Sequence, residues 1–319
     1  MDTSKVRELS EKLCGNINSV IMGKEEVVKK AVVCLLCGGH ILLEDIPGTG
    51  KTTMAKALAK SISCGFSRVQ FTPDLLPSDL TGINFYNQKT GEFTFRQGAV
   101  FTNILLGDEI NRATPRTQSS LLECMEEGQV SVDGVTYTLE KPFLVIATQN
   151  PVETQGTFPL PEAQLDRFFM KLSVGYPDEE NEKRMLLGFA GRSPLLDLAP
   201  VASGEDVIKA QETVREVHVG EAVRGYITAL SNATRSHDGL RLGISPRASL
   251  AVMRAAQAYC AADGREFVLP DDVKAVFADV AAHRVILKGY HVTQSSSGAE
   301  SILNDILASV PVPAEDYSL

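Results

Sequence analysis

One ten-residue segment constrains this chain more than any other: Glu44-Asp45-Ile46-Pro47-Gly48-Thr49-Gly50-Lys51-Thr52-Thr53. The apolar run His40-Ile41-Leu42-Leu43 precedes it, and a helix-forming stretch from Lys51 to Ser63 follows. A buried strand that turns within a few residues into a helix, with glycines at the turn, aims several backbone N–H groups and the positive helix end at one point. Such a point suits a polyphosphate. The candidate cradle comprises Pro47, Gly48, Thr49, Gly50, Lys51, Thr52 and Thr53, with Lys51 reaching the β- and γ-phosphates and the Thr52 hydroxyl available to Mg²⁺. The common pattern G-x-x-x-x-G-K-[ST] has glycine where this chain has Asp45. Aspartate tolerates unusual backbone angles better than most residues, so the loop survives the exchange.

The surrounding pattern defines the fold class. Short apolar runs of the buried-strand type recur at Val69-Gln70-Phe71, Ile104 to Gly107 and Phe143 to Ala147. Helical patterns separate them. One runs from Thr114 to Glu127, with Thr114 as N-cap, Pro115 at the first helical position and Gly128 at the stop. Strands alternating with helices predict an α/β fold with a mainly parallel sheet. Two hairpins interrupt the rhythm, at residues 85–95 and 129–139, the second turning at Asp133-Gly134. After Tyr176 the strand signals fade. A helix begins near Pro177 to Glu180, a linker is expected from Gly191 to Gly204, and Ser295 to Gly298 reads as a loop. Ser245-Pro246-Arg247 opens a helix whose stripe is Leu250, Met253 and Ala256, and Leu269-Pro270-Asp271-Asp272 opens another. The expected division is residues 1–190 as an α/β nucleotide-binding core and 191–319 as an all-helical domain.

Further chemistry sits at strand ends. Ile104-Leu105-Leu106-Gly107 runs into two carboxylates, Asp108 and Glu109. Downstream of the Lys51 loop, Asp108 is placed to hold Mg²⁺ through water, and Glu109 to orient and deprotonate an attacking water. Together with the loop they imply ATP hydrolysis rather than binding alone. Asn150 ends a third strand, where an amide can reach the attacking water or the γ-phosphate. Arg167, in Leu165-Asp166-Arg167-Phe168-Phe169, pairs with Asp166 or Asp178 or serves a phosphate. Arg247 stands in a helix first turn against the dipole preference, which suggests an anionic partner.

The chain carries 31 Lys and Arg against 40 Asp and Glu, a net charge of −9. That disfavours an extended phosphate-tracking surface and so demotes nucleic acid as a partner. No apolar segment approaches the ~18 residues of a membrane span, and no export signal is evident, so a cytoplasmic setting without membrane insertion is expected. The six cysteines, including Cys34 and Cys37, read as core thiols.

Five segments taken together resemble MoxR-type AAA+ ATPases: Glu44 to Thr52, Leu106 to Arg112, Ala147 to Pro151, Leu160 to Phe168 and Gly243 to Ala248. The resemblance extends from Val20-Ile21-Met22-Gly23 nearly to the end, and the missing first glycine is shared by that family. It implies an AAA+ P-loop NTPase core with a C-terminal helical lid, using ATP and Mg²⁺. On this resemblance Lys51 and Thr52 are the Walker A pair, Asp108 and Glu109 Walker B, Asn150 sensor 1, Arg167 the arginine finger and Arg247 sensor 2. Gly23 belongs to the stretch around adenine. The two hairpins match the helix-2 insert and the hairpin before sensor 1. Arg247 is left to act either on its own nucleotide or on a neighbour's.

The resemblance further implies a homo-oligomeric ring, a hexamer, acting as a chaperone-like ATPase on a protein client, with a von Willebrand factor A domain partner. Three other readings compete: a nucleic-acid motor of the same hairpin-bearing clade, a magnesium-chelatase-like ATPase subunit, and a nucleotide switch that does not hydrolyse. The first needs cations at the hairpin tips, where Lys89 and Arg96 stand beside Glu92 and Asp133 beside Lys141. Intact Glu109, Asn150 and Arg167 oppose the last.

Overall fold

The computed structural model describes residues 2–45, 48–150, 156–189, 193–289 and 296–313. Two helices come first, α1 (Thr3–Asn18) and α2 (Glu25–Leu36), followed by β1 (Ile41–Glu44), α3 (Lys51–Ser61), β2 (Phe66–Gln70) and a short α4 (Pro77–Thr81). The first hairpin is β3 (Ile83–Asn87) and β4 (Glu92–Arg96); β5 (Ile104–Asp108) and α5 (Pro115–Glu127) follow. The second hairpin, β6 (Gln129–Val132) and β7 (Val135–Thr138), leads to β8 (Leu144–Gln149), α6 (Glu162–Leu165) and β9 (Met170–Leu172). Beyond these come α7 (Glu179–Phe189), α8 (Pro194–Asp197), α9 (Gly204–Glu216), α10 (Glu221–Ser236), β10 (Leu240–Leu242), α11 (Pro246–Ala262), α12 (Pro270–Ala281), β11 (Ile286–Leu287) and α13 (Ser296–Ser309).

Five strands form the central sheet in the order β2-β5-β8-β1-β9, and every pairing within it is parallel. The expected α/β architecture is therefore met. The apolar runs are continuous because both faces are covered, as in parallel sheets generally. Their period of two divides them cleanly. Ile41, Leu43, Ile104, Leu106, Leu144 and Ile146 join a core with α1, α2, α3 and the later helices. Leu42, Leu105, Val145 and Ala147 face Phe71, Leu80, Leu121 and Leu122 on the other side.

Local signals held well at helix ends. The Thr114 hydroxyl accepts from Thr117 N, Ser245 Oγ accepts from Ala248 N at 3.2 Å, and Gly128 takes a left-handed φ of 62° just past α5. The two hairpins form where expected, the second turning through left-handed Asp133 and Gly134. All six cysteines are free thiols, and burial pushes Cys34, Cys37 and Cys124 up in pKa.

Three expectations need correction. Residues 296–298 are the first turn of α13 rather than loop, and the segment expected as a linker contains α8. On α11, Leu250 is 54% exposed, whereas Met253 is half-buried against the core and Ala256 is buried with Ala248, Val252 and Ala255. Alanines face inward there because α11 packs closely on α1, α2 and α12, where longer side chains would not fit. The later helices share one continuous apolar core with α1 and α2.

His40 ties the two layers together ahead of β1. Its Nδ1 accepts from Val145 N and its Nε2–H donates to Met125 O, both at 3.0 Å, so the proton resides on Nε2. Burial lowers its pKa from 6.5 to about 4. The unfolded chain binds a proton between those values that the folded one refuses, so this contribution is complete above pH 6.5 and lost as pH falls towards 4. At pH 5 the loss is ~2 kcal/mol. Urea unfolding at pH 7 and pH 5 should show it, and His40→Gln should shrink the difference between the two by about that amount.

Candidate nucleotide site

The sheet order sets the site. β8 lies between β1 and β5, so the carboxyl ends of those three strands stand side by side. The chain leaves β1 for distant β2, returns through β5 and β8, then passes β1 to β9. That reversal makes a switch point, where the crevice beyond the strand ends takes ligands.

The loop after β1 lies there. Gly50 caps α3 in a left-handed conformation (φ 89°), and Gly48 shares it (φ 87°). A Cβ at either would meet nothing within 4 Å, so backbone angle rather than crowding requires glycine, and open space faces the loop. Pro47 lies outside the described residues. Thr49, Lys51, Thr52 and Thr53 are half-buried in the loop and the first turn of α3. Lys51 Nζ donates to Asp45 O at 2.8 Å. Partial burial pushes the Lys51 pKa down, while the fields of Asp45, Asp108 and Glu109 push it back up. The lysine and the β5 carboxylates therefore occupy one electrostatic site.

Asp45 has its own task. Its carboxylate accepts from Ser173 Oγ (3.1 Å) and from the backbone N–H of Val174 and Gly175. A buried carboxylate thus anchors the start of the loop to the segment leaving β9. A glycine could not do so.

Asp108 and Glu109 end β5. In the register Gly107 faces Ala147, which brings Thr148 level with Asp108. The buried Thr148 hydroxyl donates to Asp108 Oδ1 (3.3 Å) and accepts from Glu109 N (2.9 Å). Asp108 Oδ2 accepts from Arg68 Nε at 2.6 Å. Glu109 takes a left-handed φ of 56°, and its Oε2 accepts from Gln70 Nε2 (2.8 Å) and Arg112 Nε (3.0 Å). Asn150 is buried directly after β8, beside the start of the Lys51 loop, where Asp45 N donates to Gln149 O. Gly23 has φ 70° and approaches the Asn181 side chain of α7 so closely that a Cβ would fall 2.3 Å from it.

The structure does not bring the two arginines to this edge. Arg167 precedes β9, and Phe169 N donates to His40 O (2.8 Å), which places this segment level with the residue before β1. Arg167 Nε pairs with Glu126 Oε2 (3.1 Å), not with Asp166 or Asp178. Arg247 Nη2 reaches the other oxygen of Glu126 at 3.4 Å. Both arginines therefore stand at the amino-terminal edge of the sheet, opposite the Lys51 loop.

A family model described as the ATPase family associated with various cellular activities (AAA) matches residues 40–170, and one described as an AAA lid domain matches residues 232–306. Chaperone MoxR1 of Mycobacterium tuberculosis is 39% identical over 312 residues, covering 95% of this chain and 82% of its own. Protein MoxR of Paracoccus denitrificans is 32% identical over 324 residues, covering 93% and 94%. A crystal structure from Cytophaga hutchinsonii, 38% identical, superposes with a TM-score of 0.87 over 98% of this chain and 97% of that one. This chain belongs to the MoxR family of AAA+ ATPases.

As a MoxR-family chain it also shows residues that sequence reading missed. Arg68, Gln70, Thr148 and Glu126 hold the candidate catalytic groups, yet only strand register and tertiary packing bring them there. Alternation along β2, with Arg68 and Gln70 two apart at the end of a strand, was the only local signal. Among the described residues no cluster of His, Cys, Asp and Glu forms a metal site of protein ligands alone. No helix among them is long and apolar enough to cross a membrane. Asp45→Ala should unmoor the loop and cost ~2–3 kcal/mol, read as a lowered unfolding midpoint with weakened nucleotide binding. Full nucleotide affinity in that variant would remove the anchoring role.

Proposed function

We propose that this chain hydrolyses ATP as one subunit of a head-to-tail ring, a hexamer, with residues 1–190 as core and 191–319 as lid. The observation that carries this reading is the separation of charged groups across one sheet. Lys51, Asp108, Glu109 and Asn150 gather at the carboxyl ends of the strands, whereas Arg167 and Arg247 gather at the amino ends. A four-residue strand at ~3.3 Å per residue keeps the two edges at least ~10 Å apart before any loop is added. Arg167 is aimed at another subunit's loop rather than its own, and Arg247 goes with it. A surface that donates to a neighbour and a different surface that receives form a heterologous contact, which closes as a ring when the rotation between subunits divides a full turn.

Within the site, Gly48, Thr49, Gly50 and Thr53 present the loop to the phosphates, and Lys51 neutralises the β- and γ-groups. The Thr52 hydroxyl and Asp108 carboxylate are hard oxygen donors of the kind Mg²⁺ takes, and these two residues would hold it. When bound, Mg²⁺ neutralises phosphate charge. Glu109 orients the attacking water and accepts its proton, positioned by its backbone bond to Thr148. Asn150 contacts that water or the γ-phosphate. Arg167 and Arg247 from the neighbour offset the charge of the transition state.

The ring acts as a chaperone-like ATPase on a protein client, remodelling, assembling or maturing it, with a von Willebrand factor A domain partner. The Mycobacterium tuberculosis relative is named a chaperone. The first hairpin favours protein over nucleic acid: Tyr86 and Phe93 pair across it at 5.4 Å near the turn, 55% and 73% exposed. An apolar pair on a chain of net charge −9 suits a polypeptide better than a phosphate backbone.

Arg167→Ala is expected to slow hydrolysis by about 10³-fold while leaving nucleotide binding intact. Glu109→Gln should stop turnover yet still bind ATP. Mixing Arg167→Ala with Lys51→Ala subunits tests the arrangement directly, because a trans site pairs one sound loop with one sound arginine. Activity should reappear in the mixture; if it stays absent while the two variants co-assemble, the trans assignment fails.

A further inference from the structure

Two arginines from distant parts of the chain, Arg167 before β9 and Arg247 at the start of α11, meet on one carboxylate. Glu126, in the last turn of α5, gives Oε2 to Arg167 Nε at 3.1 Å and Oε1 to Arg247 Nη2 at 3.4 Å. Neither contact exhausts its guanidinium, since each has five N–H donors. Arg167 engages through Nε, so its outer nitrogens stay available; Arg247 also reaches Asp166 Oδ2 through Nε at 3.8 Å. The side chains of Arg167, Glu126 and Arg247 are 30%, 35% and 56% exposed, so the group lies at the surface with its donors accessible.

The backbone beneath is fixed from the lid side. Arg284, whose side chain is 4% exposed, donates to Asp166 Oδ1 at 2.5 Å and to the carbonyls of Asp166, Phe168 and Phe169. It holds residues 166–169 in place but does not touch the Arg167 side chain. Only Glu126 does that in this group. Without it, two guanidinium groups would stand close together, Arg247 keeping only its 3.8 Å contact to Asp166, which Arg284 already engages, and Arg167 losing its carboxylate partner. They would repel and separate.

We propose that Glu126 is a positioning residue: it holds Arg167 and Arg247 side by side, so that core and lid present both cations to a neighbour's nucleotide as one preformed unit. This rests on the reading that the two arginines act in trans. Glu126 itself touches no phosphate. Its effect is the cost of losing orientation, and a misplacement of about 1 Å can cost on the order of 100-fold in rate.

The test is steady-state ATP hydrolysis by the assembled full-length protein carrying Glu126→Ala, Glu126→Asp, Arg167→Ala or the double change Glu126→Ala with Arg167→Ala. Glu126→Ala should lower kcat by about 10- to 100-fold with KM for ATP, oligomer size and unfolding midpoint unchanged. Glu126→Asp, which keeps the charge, should recover part of the loss. In the Arg167→Ala background, Glu126→Ala should add little further loss, because the group it positions is gone. An unchanged kcat in Glu126→Ala would overturn the proposal. So would a faster rate, which would make the carboxylate a restraint on the arginines, or a full additive loss in the double variant. Full activity in Arg167→Ala alone would instead remove the trans reading beneath it, an outcome visible without any Glu126 variant.

Discussion

The parallel register of β1, β8 and β5 is the constraint on which everything else depends. Because Gly107 faces Ala147 and Glu44 faces Gln149, three strand ends become level, and Thr148 falls between two carboxylates that chain order alone would not align. A single buried hydroxyl then donates to Asp108 and accepts from the Glu109 amide. The Glu109 amide reaches Thr148 because the Asp108 carbonyl of the same trans peptide points the other way, accepting from Phe71 N at 2.8 Å. Glu109 itself takes a left-handed φ of 56°, a strained conformation for a non-glycine residue.

The same sheet separates the candidate site into two edges. In a parallel sheet, residues that follow strands and residues that precede them lie on opposite edges. Lys51 follows β1, while Arg167 precedes the neighbouring strand β9. No rotamer change brings them together. The lid does not bridge the gap either, because Arg284 and Arg247 grip Asp166 and Glu126 at the amino-terminal edge. One acid–cation cluster joins lid to core there and holds both arginine side chains.

What the sequence made legible was whatever a short window encodes. The turn from β1 into α3, the Thr114 and Ser245 caps and the Asp133-Gly134 hairpin all rest on residues within a few positions of one another, and each formed as its residues specify. Asp45 was legible as an oddity but not as an anchor, since Ser173 and Val174 lie 128 and 129 residues away. Arg68 carried only its alternation with Gln70 and Glu126 no signal, because a charged residue near a strand or helix end reads as solvated until its partner is placed. The stripe on α11 misled for a related reason. Leu250 follows the helical period of Met253 and Ala256 yet stays exposed, because the close approach of α1 and α2 admits alanine better than leucine, and packing overrode hydrophobicity.

The continuous core bears on how force could leave the site. α11 packs against α1 and α2, Lys30 of α2 pairs with Asp279 of α12, and α12 packs against the edge strand β9, so the lid is joined both to the amino-terminal helices and to the sheet. A lid hinged only at its linker could swing without disturbing the sheet. This one cannot move against β9 without repacking buried side chains, and close-packed cores rearrange between discrete states rather than deform smoothly. β9 in turn continues into Ser173 to Gly175, whose groups hold Asp45 at the start of the phosphate loop. One strand therefore links the lid both to the anchor of the phosphate loop and to the segment bearing Arg167. On the proposed trans arrangement, that strand is the element through which nucleotide state in one subunit would reach the arginines offered to the next.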